Sequence, residues 1–441
     1  MTATPMSPHL SARVRAWFLR ILFFSAACYL YRYYAHWPHE LPRYDSIASA
    51  ERALPQHNLS LPFPEGQDGR YVRFSTQTAE LGYNNILQEI LLLSHLAYLS
   101  NRAYVFRPFQ WAMAHTPFHV QGERRAPRVP LSALLGGPVT GDPWGPGETA
   151  PRAITDEWWE VVCPPERRVQ VDAVAIKHRF NDTKADGLTL MRKWAKLLGD
   201  TQASCVEIVP GSGGSADVTQ TFDFWLFGDP RILTLWPSLF KSPAITRLYA
   251  PQPVRAALTR NSRLLAGGPV IEVDNHIPGL IGLHLRRGDY ETHCKHLFKY
   301  NSTFEAWNML PGLRAEPRPK GVSDEEWHAR RCWPTIDQIA ERMATVKKAY
   351  PGLERVFLLT NGDKAWVAKL KQVLRSAGWK AVVSSLDLDL SYQEIGLGPA
   401  IDMEIARRAD VFIGNGWSSL SSNVILFRLT SGKTPQSTST W

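Results

Sequence analysis

The period of apolar and polar positions changes along this chain, and the changes mark its elements. Tyr71-Val72-Arg73-Phe74 reads as a short strand, followed by the polar stretch Leu81-Gly82-Tyr83-Asn84-Asn85. Apolar residues at Ile86, Leu87, Ile90, Leu91, Leu93, Leu96, Ala97 and Leu99 then predict a buried helix. Ala103-Tyr104-Val105-Phe106 returns to a strand, completing a βαβ unit with a polar loop at the carboxyl end of its first strand. Residues 136–151 are dense in Gly and Pro and predict an irregular loop, and residues 210–215 a flexible Gly/Ser segment. Residues 156–263 read as helical with aromatic punctuation, up to a boundary near Gly267-Gly268-Pro269.

The second half alternates more regularly. Strands are predicted at 280–285, 355–360, 380–384 and 410–414, and helices at 336–350, 364–377, 399–408 and 418–427. Residues 296–334 form a long insert of weak pattern. Repeated strand–helix alternation implies a parallel, doubly wound α/β sheet, which binds ligands beyond the carboxyl ends of its strands.

The first residues read differently. Arg13, Arg15 and Arg20 precede an uncharged run at 21–31, and Tyr29, Tyr31, Tyr33, Tyr34 and Trp37 supply an interfacial aromatic belt. Residues 1–37 are therefore expected to be a cytosolic tail and signal anchor, and 38–69, rich in Pro, His, Ser and charge, a solvated stem. The body would divide into an N-terminal α/β domain at 70–266 and a C-terminal α/β domain at 267–441. With the early arginines cytosolic, that body lies in the lumen of the endoplasmic reticulum or Golgi as a single-pass type II membrane protein. Asn58, Asn181 and Asn301 head N-x-S/T triplets. With Cys28 inside the apolar run, four cysteines remain, and proximity pairs Cys163 with Cys205 and Cys294 with Cys332.

The chain has 441 residues, 44% hydrophobic and 21% charged, which excludes a mainly disordered or collagen-like protein. Its formal charge of +9 suits an anionic ligand. The Lys and Arg are scattered, with no basic helix and no zinc finger, which argues against nucleic acid as a partner.

Three polar clusters fall at strand ends. In His284-Leu285-Arg286-Arg287-Gly288-Asp289, Arg286 stands where a strand finishes, so its guanidinium can grip a diphosphate and meet the charge that develops as a sugar departs. In Gly414-Asn415-Gly416-Trp417-Ser418-Ser419-Leu420-Ser421-Ser422, a strand runs into a serine-rich helix start, a natural anion site. Beside Gly82-Tyr83-Asn84-Asn85, Glu80 is the upstream carboxylate able to act as general base for an acceptor hydroxyl. Each has a plainer reading: an ion pair of Arg286 with Asp289 or Glu291, an ordinary serine cap, a surface glutamate. Asp387-Leu388-Asp389 is a D-x-D tripeptide of the kind that binds metal, but it opens a loop late in the chain. His293, Cys294 and His296 lack a second Cys/His pair at zinc-ligand spacing.

Together the three clusters resemble the protein O-fucosyltransferase-like family: a Gly-x-x-Asn loop opening a helix, a His-x-Arg element after a strand, and Ala-Asp-x-Phe-Ile-Gly-Asn with Ser-Ser near the C-terminus. The resemblance implies a GT-B fold of two facing Rossmann-like domains, GDP-fucose as donor substrate, inversion, no metal and no further cofactor. It implies that His284, Arg286, Ser418, Ser419 and Leu420 surround the nucleotide and phosphates, and that Asp402 reads the guanine edge. It also implies that Gly82, Asn84 and Asn85 lie near the fucose and the acceptor, a protein Ser/Thr or a glycan. Arg286, Glu80 and Asn84 are the catalytic candidates, with Glu80 one residue farther from the loop than the family's base. A same-fold transferase with another nucleotide-sugar donor and a weakly catalytic glycan-binding relative remain open. A sulfotransferase would need a lysine in the first loop, and residues 81–85 have none.

Overall fold

Two five-stranded sheets, each wholly parallel, organise the chain. The computed structural model describes residues 17, 40–118, 126–180, 184–211, 220–268, 276–314 and 316–441. The first sheet holds β1 (Tyr71–Phe74), β2 (Ala103–Phe106), β5 (Ile154–Thr155), β6 (Arg168–Asp172) and β7 (Cys205–Val209), in the order β5-β2-β1-β7-β6. The second holds β8 (Ile277–Leu285), β9 (Arg355–Thr360), β10 (Ala381–Ser384), β11 (Ala409–Gly414) and β12 (Thr438–Thr440), in the order β10-β9-β8-β11-β12. A ribbon of β3 (Phe109–Gln110) and β4 (Arg128–Val129) completes the strands.

The chain moves outward from β8 to β9 and β10, then returns to the other side of β8 as β11. The order therefore reverses between β8 and β11, the kind of crevice where open α/β sheets hold ligands. Helix Tyr83–Leu99 leaves the carboxyl end of β1 and helix Ser419–Thr430 that of β11, and the two pack against each other across the halves. One apolar core runs through this junction, while separate clusters fill the far face of each sheet.

The helices and strands expected in the second half are present within a few residues of their predicted ends. Residues 156–263 are not purely helical. They contain β6 and β7, and β7 pairs with the central β1 through four residues. The 296–334 insert holds a 3-10 turn at Ala306–Met309 and a helix at Asp324–Cys332. Both expected disulfides form: Cys163–Cys205 and Cys294–Cys332. The expected membrane anchor lies outside the described residues apart from Trp17, as does most of the 210–215 segment; among the described residues no helix is long and apolar enough to cross a membrane.

The solvated stem requires correction. From residue 40 onward it is folded onto the body. Asp45–Arg52 is a helix whose buried Glu51 accepts hydrogen bonds from the N–H and hydroxyl of Ser132, at 2.9 and 2.7 Å. Gln56 donates to the carbonyls of Gly141 and Ala153, and Glu65 meets Arg152 in a two-point fork at 2.7 Å each. The Tyr44 hydroxyl donates to Gln393 O in the other half, 2.8 Å away. Polarity in this stretch serves specific partners rather than water. A chain beginning at residue 70 leaves these buried groups orphaned, at about 1–3 kcal/mol each. Its urea midpoint, followed by tryptophan fluorescence, should lie roughly half a molar or more below that of a chain beginning at residue 40.

Candidate functional site

β8 ends in His284 and Leu285, and the chain then turns through Arg286, Arg287 and Gly288. Gly288 adopts φ +67°, a left-handed conformation that favours glycine and lets the turn close. The two arginines part ways here. Arg287 is buried between the rings of Trp333 and Trp366, at 4.4 and 4.2 Å, and donates to Pro334 O. Its N–H and carbonyl are both held by the Asn361 side chain. Burial lowers its guanidinium to about 10. Arg286 instead keeps 33% of its side chain exposed; it lies 4.9 Å over the Tyr290 ring and 3.7 Å from the well-exposed Asp289. The ion pair anticipated for Arg286 is thus present but loose, and such an exposed pair is weak enough for a phosphate to displace.

His284 is buried, and desolvation, with Arg286 adding to it, lowers its imidazole to about 3. The ring is neutral at pH 7. Ser421 Oγ accepts from the Asn415 N–H and lies 2.8 Å from Nδ1, to which it can donate its own hydrogen. With that hydrogen directed at Nδ1, His284 carries its proton on Nε2. Its backbone carbonyl accepts from the indole of Trp441.

Gly414 and Gly416 serve close approach: a Cβ at Gly414 would lie 2.7 Å from Ser421, and one at Gly416 2.5 Å from the Phe304 ring. The serine cluster divides. Ser421 and Ser422 are buried and committed, Ser421 to His284 and Ser422 to Gln88 and the Trp307 N–H. Ser418 and Ser419 remain partly open at the helix start, where first-turn N–H groups lack intrahelical partners. Leu420 packs against the core.

Asn84 is buried and receives two hydrogen bonds from Asn423 Nδ2, at its carbonyl and at Oδ1, both 3.0 Å. Its first visible task is thus to join the halves. Asn85 is half-buried in the first turn of the same helix. Gly82 caps that helix at φ −60°, and a Cβ there would meet nothing within 4 Å. Neither its backbone angle nor its packing requires glycine; the space beside it is open. Glu80 is exposed, at φ 59°, on the loop outside. Asp402 stands half-buried near the ends of β9 and β10, where Ser385 Oγ donates to it at 2.7 Å; desolvation outweighs that bond and raises its carboxyl to about 7. Strand spacing of about 4.8 Å puts β10 roughly 10 Å from β8, a span suited to an extended nucleotide.

Residues 255–430 match the family model described as GDP-fucose protein O-fucosyltransferase. This stretch of the chain carries an O-fucosyltransferase-like glycosyltransferase domain. The crystal structure of the POFUT1 apo-form superposes with TM-score 0.51 and 15% identity, over 85% of this chain and 98% of that one, which shows a shared fold. POFUT1 in complex with GDP-fucose gives TM-score 0.47 and 16% identity over 84% and 98% of the two chains. NodZ alpha-1,6-fucosyltransferase gives 0.38 and 12% over 81% and 92%. No curated protein sequence matches the chain.

The transferase uses its other polar candidates structurally. Asp387 accepts from the N–H and hydroxyl of Ser384 and pairs with Lys371, so the D-x-D aspartate closes its own turn. Cys294 is disulfide-bonded, and His293 stacks on Tyr290 and His296. Several cleft residues escaped sequence reasoning. Gln88 could have been found, as a polar residue one turn after Asn84 on an apolar helix. Tyr290, Glu305 and Trp441 sit in stretches without a periodic pattern. In the transferase, Arg287→Ala should cost about 2–4 kcal/mol, since it opens a cavity between two indoles. Arg286→Ala should leave thermal stability within about 0.5 kcal/mol of wild type. Differential scanning calorimetry of both variants checks the pair.

Proposed function

We propose that this protein transfers fucose from GDP-fucose to a hydroxyl acceptor with inversion and without a metal, and that Arg286 holds the diphosphate. The observation that carries this reading is the division of labour between two adjacent arginines. Arg287 is locked between tryptophans, and Arg286 is left at the β8–β11 crevice with a weak, displaceable partner. The family match of residues 255–430 supports the donor class.

In this reading Arg286 and the open N–H groups of Ser419 and Leu420 meet the charge that builds on the diphosphate as the C1–O bond breaks. Neutral His284 adds an Nε2–H donor without adding charge. Asp402, ionised, accepts from guanine N1–H and N2–H. Asn85 and the open space beside Gly82 border the sugar. The acceptor is a protein Ser/Thr or a glycan. The body is lumenal, in the endoplasmic reticulum or Golgi, behind an N-terminal type II anchor. Two disulfides support an oxidising compartment, and Asn58 and Asn301 are exposed where N-glycans could attach.

Calorimetric titration without metal should show GDP bound more tightly than UDP or ADP. Arg286→Ala should weaken GDP by at least about tenfold, as expected for loss of a charge-assisted contact worth about 1.5–3 kcal/mol. Equal binding of the three diphosphates, or no loss in Arg286→Ala, would sink the proposal.

Asp402 adds a pH dependence. Its carboxyl titrates at about 7 in the free protein, and guanine selects the ionised form. GDP affinity should be full above pH 8 and fall by about tenfold per unit below 7. Asp402→Asn should bind more weakly at pH 8 and lose this component of the slope; the difference between the two proteins cancels the titration of GDP itself.

A further inference from the structure

Glu80, the carboxylate expected to deprotonate the acceptor, stands exposed on the outer loop. A different carboxylate occupies the junction of the two halves. Glu305 follows Phe304, whose ring fills the space that Gly416 leaves open, and its N–H donates to Gly416 O at 2.8 Å. Its side chain is half-buried and hydrogen-bonded to Gln88 of the first half. Gln88 also donates to Ser422 at 3.1 Å. The next residue, Ala306, is buried at φ 38°, a left-handed angle that costs a residue with a Cβ about 1–2 kcal/mol. Such an angle persists only where its surroundings over-determine it, and these surroundings hold Glu305 at the cleft.

We propose that Glu305 is the general base of the transfer reaction. This rests on the donor reading above. The Glu305 carboxylate takes the proton of the attacking hydroxyl as that oxygen bonds to C1 of fucose. The C1–O bond to the diphosphate breaks, and its electron pair leaves on the β-phosphate oxygen of GDP, beside Arg286. A proton gained by Glu305 balances the negative charge gained by GDP. Tyr290 neighbours both groups: its ring carries Arg286, its hydroxyl donates to Trp417 O, and both Arg286 and Glu305 act on it electrostatically. Base and leaving-group cation thus share one aromatic neighbour, which keeps both at the same junction.

Desolvation raises the Glu305 carboxyl to about 7, against the opposing hydrogen bond from Gln88, which is the range a base needs near neutrality. The groups around it are known. Tyr290 interacts with it electrostatically, as Tyr290 also does with Arg286 and Asp289. Helices Tyr83–Leu99 and Ser419–Thr430 present neutral Gln88 and Ser422. On the far side, Arg331 covers the Phe304 ring at 4.4 Å and His328 packs on Trp417 at 4.3 Å.

The test uses GDP-fucose with water as acceptor and the described chain from residue 40. Glu305→Gln should lower GDP release by on the order of 10²–10³-fold, with GDP affinity by calorimetry unchanged within about threefold. At saturating GDP-fucose, where the Asp402 dependence of donor binding drops out, the wild-type rate should decline below pH 7, and the Glu305→Gln rate should lack that limb. Added formate should restore turnover to Glu305→Ala. Turnover of Glu305→Gln within about threefold of wild type overturns the proposal, as does a loss carried by Glu80→Gln instead. A wild-type chain that does not bind GDP overturns the donor reading, a result distinct from GDP binding with a dispensable Glu305.

Discussion

Buried hydrogen bonds between two helices hold the candidate site together. Helix Tyr83–Leu99 and helix Ser419–Thr430 each begin where a strand of their sheet ends, and they meet through Asn84–Asn423 and Gln88–Ser422. Amides and hydroxyls removed from water must find partners, and these find them only when the two halves sit in one register. Apolar packing alone would tolerate sliding. Nearly everything around the crevice is referred to this seam: Ser422 also holds Trp307, and Ser421, its neighbour, holds His284 and the Asn415 turn.

Charge at the crevice is arranged by withdrawal as much as by placement. Of two consecutive arginines, one is spent on indole faces and a carbonyl and the other is left partly in water. His284 stays neutral because burial and Arg286 both oppose its protonation. Asp402 and Glu305 are carboxyls in recesses that disfavour ionisation, and a cationic or hydrogen-bonding ligand environment changes that balance. The crevice therefore presents the partly open Arg286 and several groups whose protonation depends on what arrives.

The second sheet was legible because its strands are buried on both faces and read as unbroken apolar runs ending in polar residues, as in Arg355–Thr360. Arg286 and the Gly414 turn were legible for the same reason: they punctuate such runs. β6 was hidden because Arg168–Asp172 is a partly exposed edge strand, and β7 because its five residues lie between a helix and a Gly/Ser segment. Residues 40–69 misled because composition cannot distinguish polar groups that face water from those, such as Glu51, Gln56 and Glu65, that face partners contributed from 81–97 residues away. Glu305 could not be found from pattern, since its place is set by Gly416 and Gln88, both distant in sequence.

The edge strand Thr438–Thr440 has a consequence for how the protein is made. It pairs with β11, and Trp441 beyond it bonds to Gly414 O and to the carbonyl of His284. These residues leave the ribosome after every other part of either sheet. During vectorial synthesis the first sheet has all its strands, and can close Cys163–Cys205, while the second still lacks the indole that holds the His284 carbonyl. Support for the crevice is therefore completed only once residues 438–441 are made, and a nascent chain stalled short of residue 438 would display a nearly complete fold with its crevice still unsupported from below.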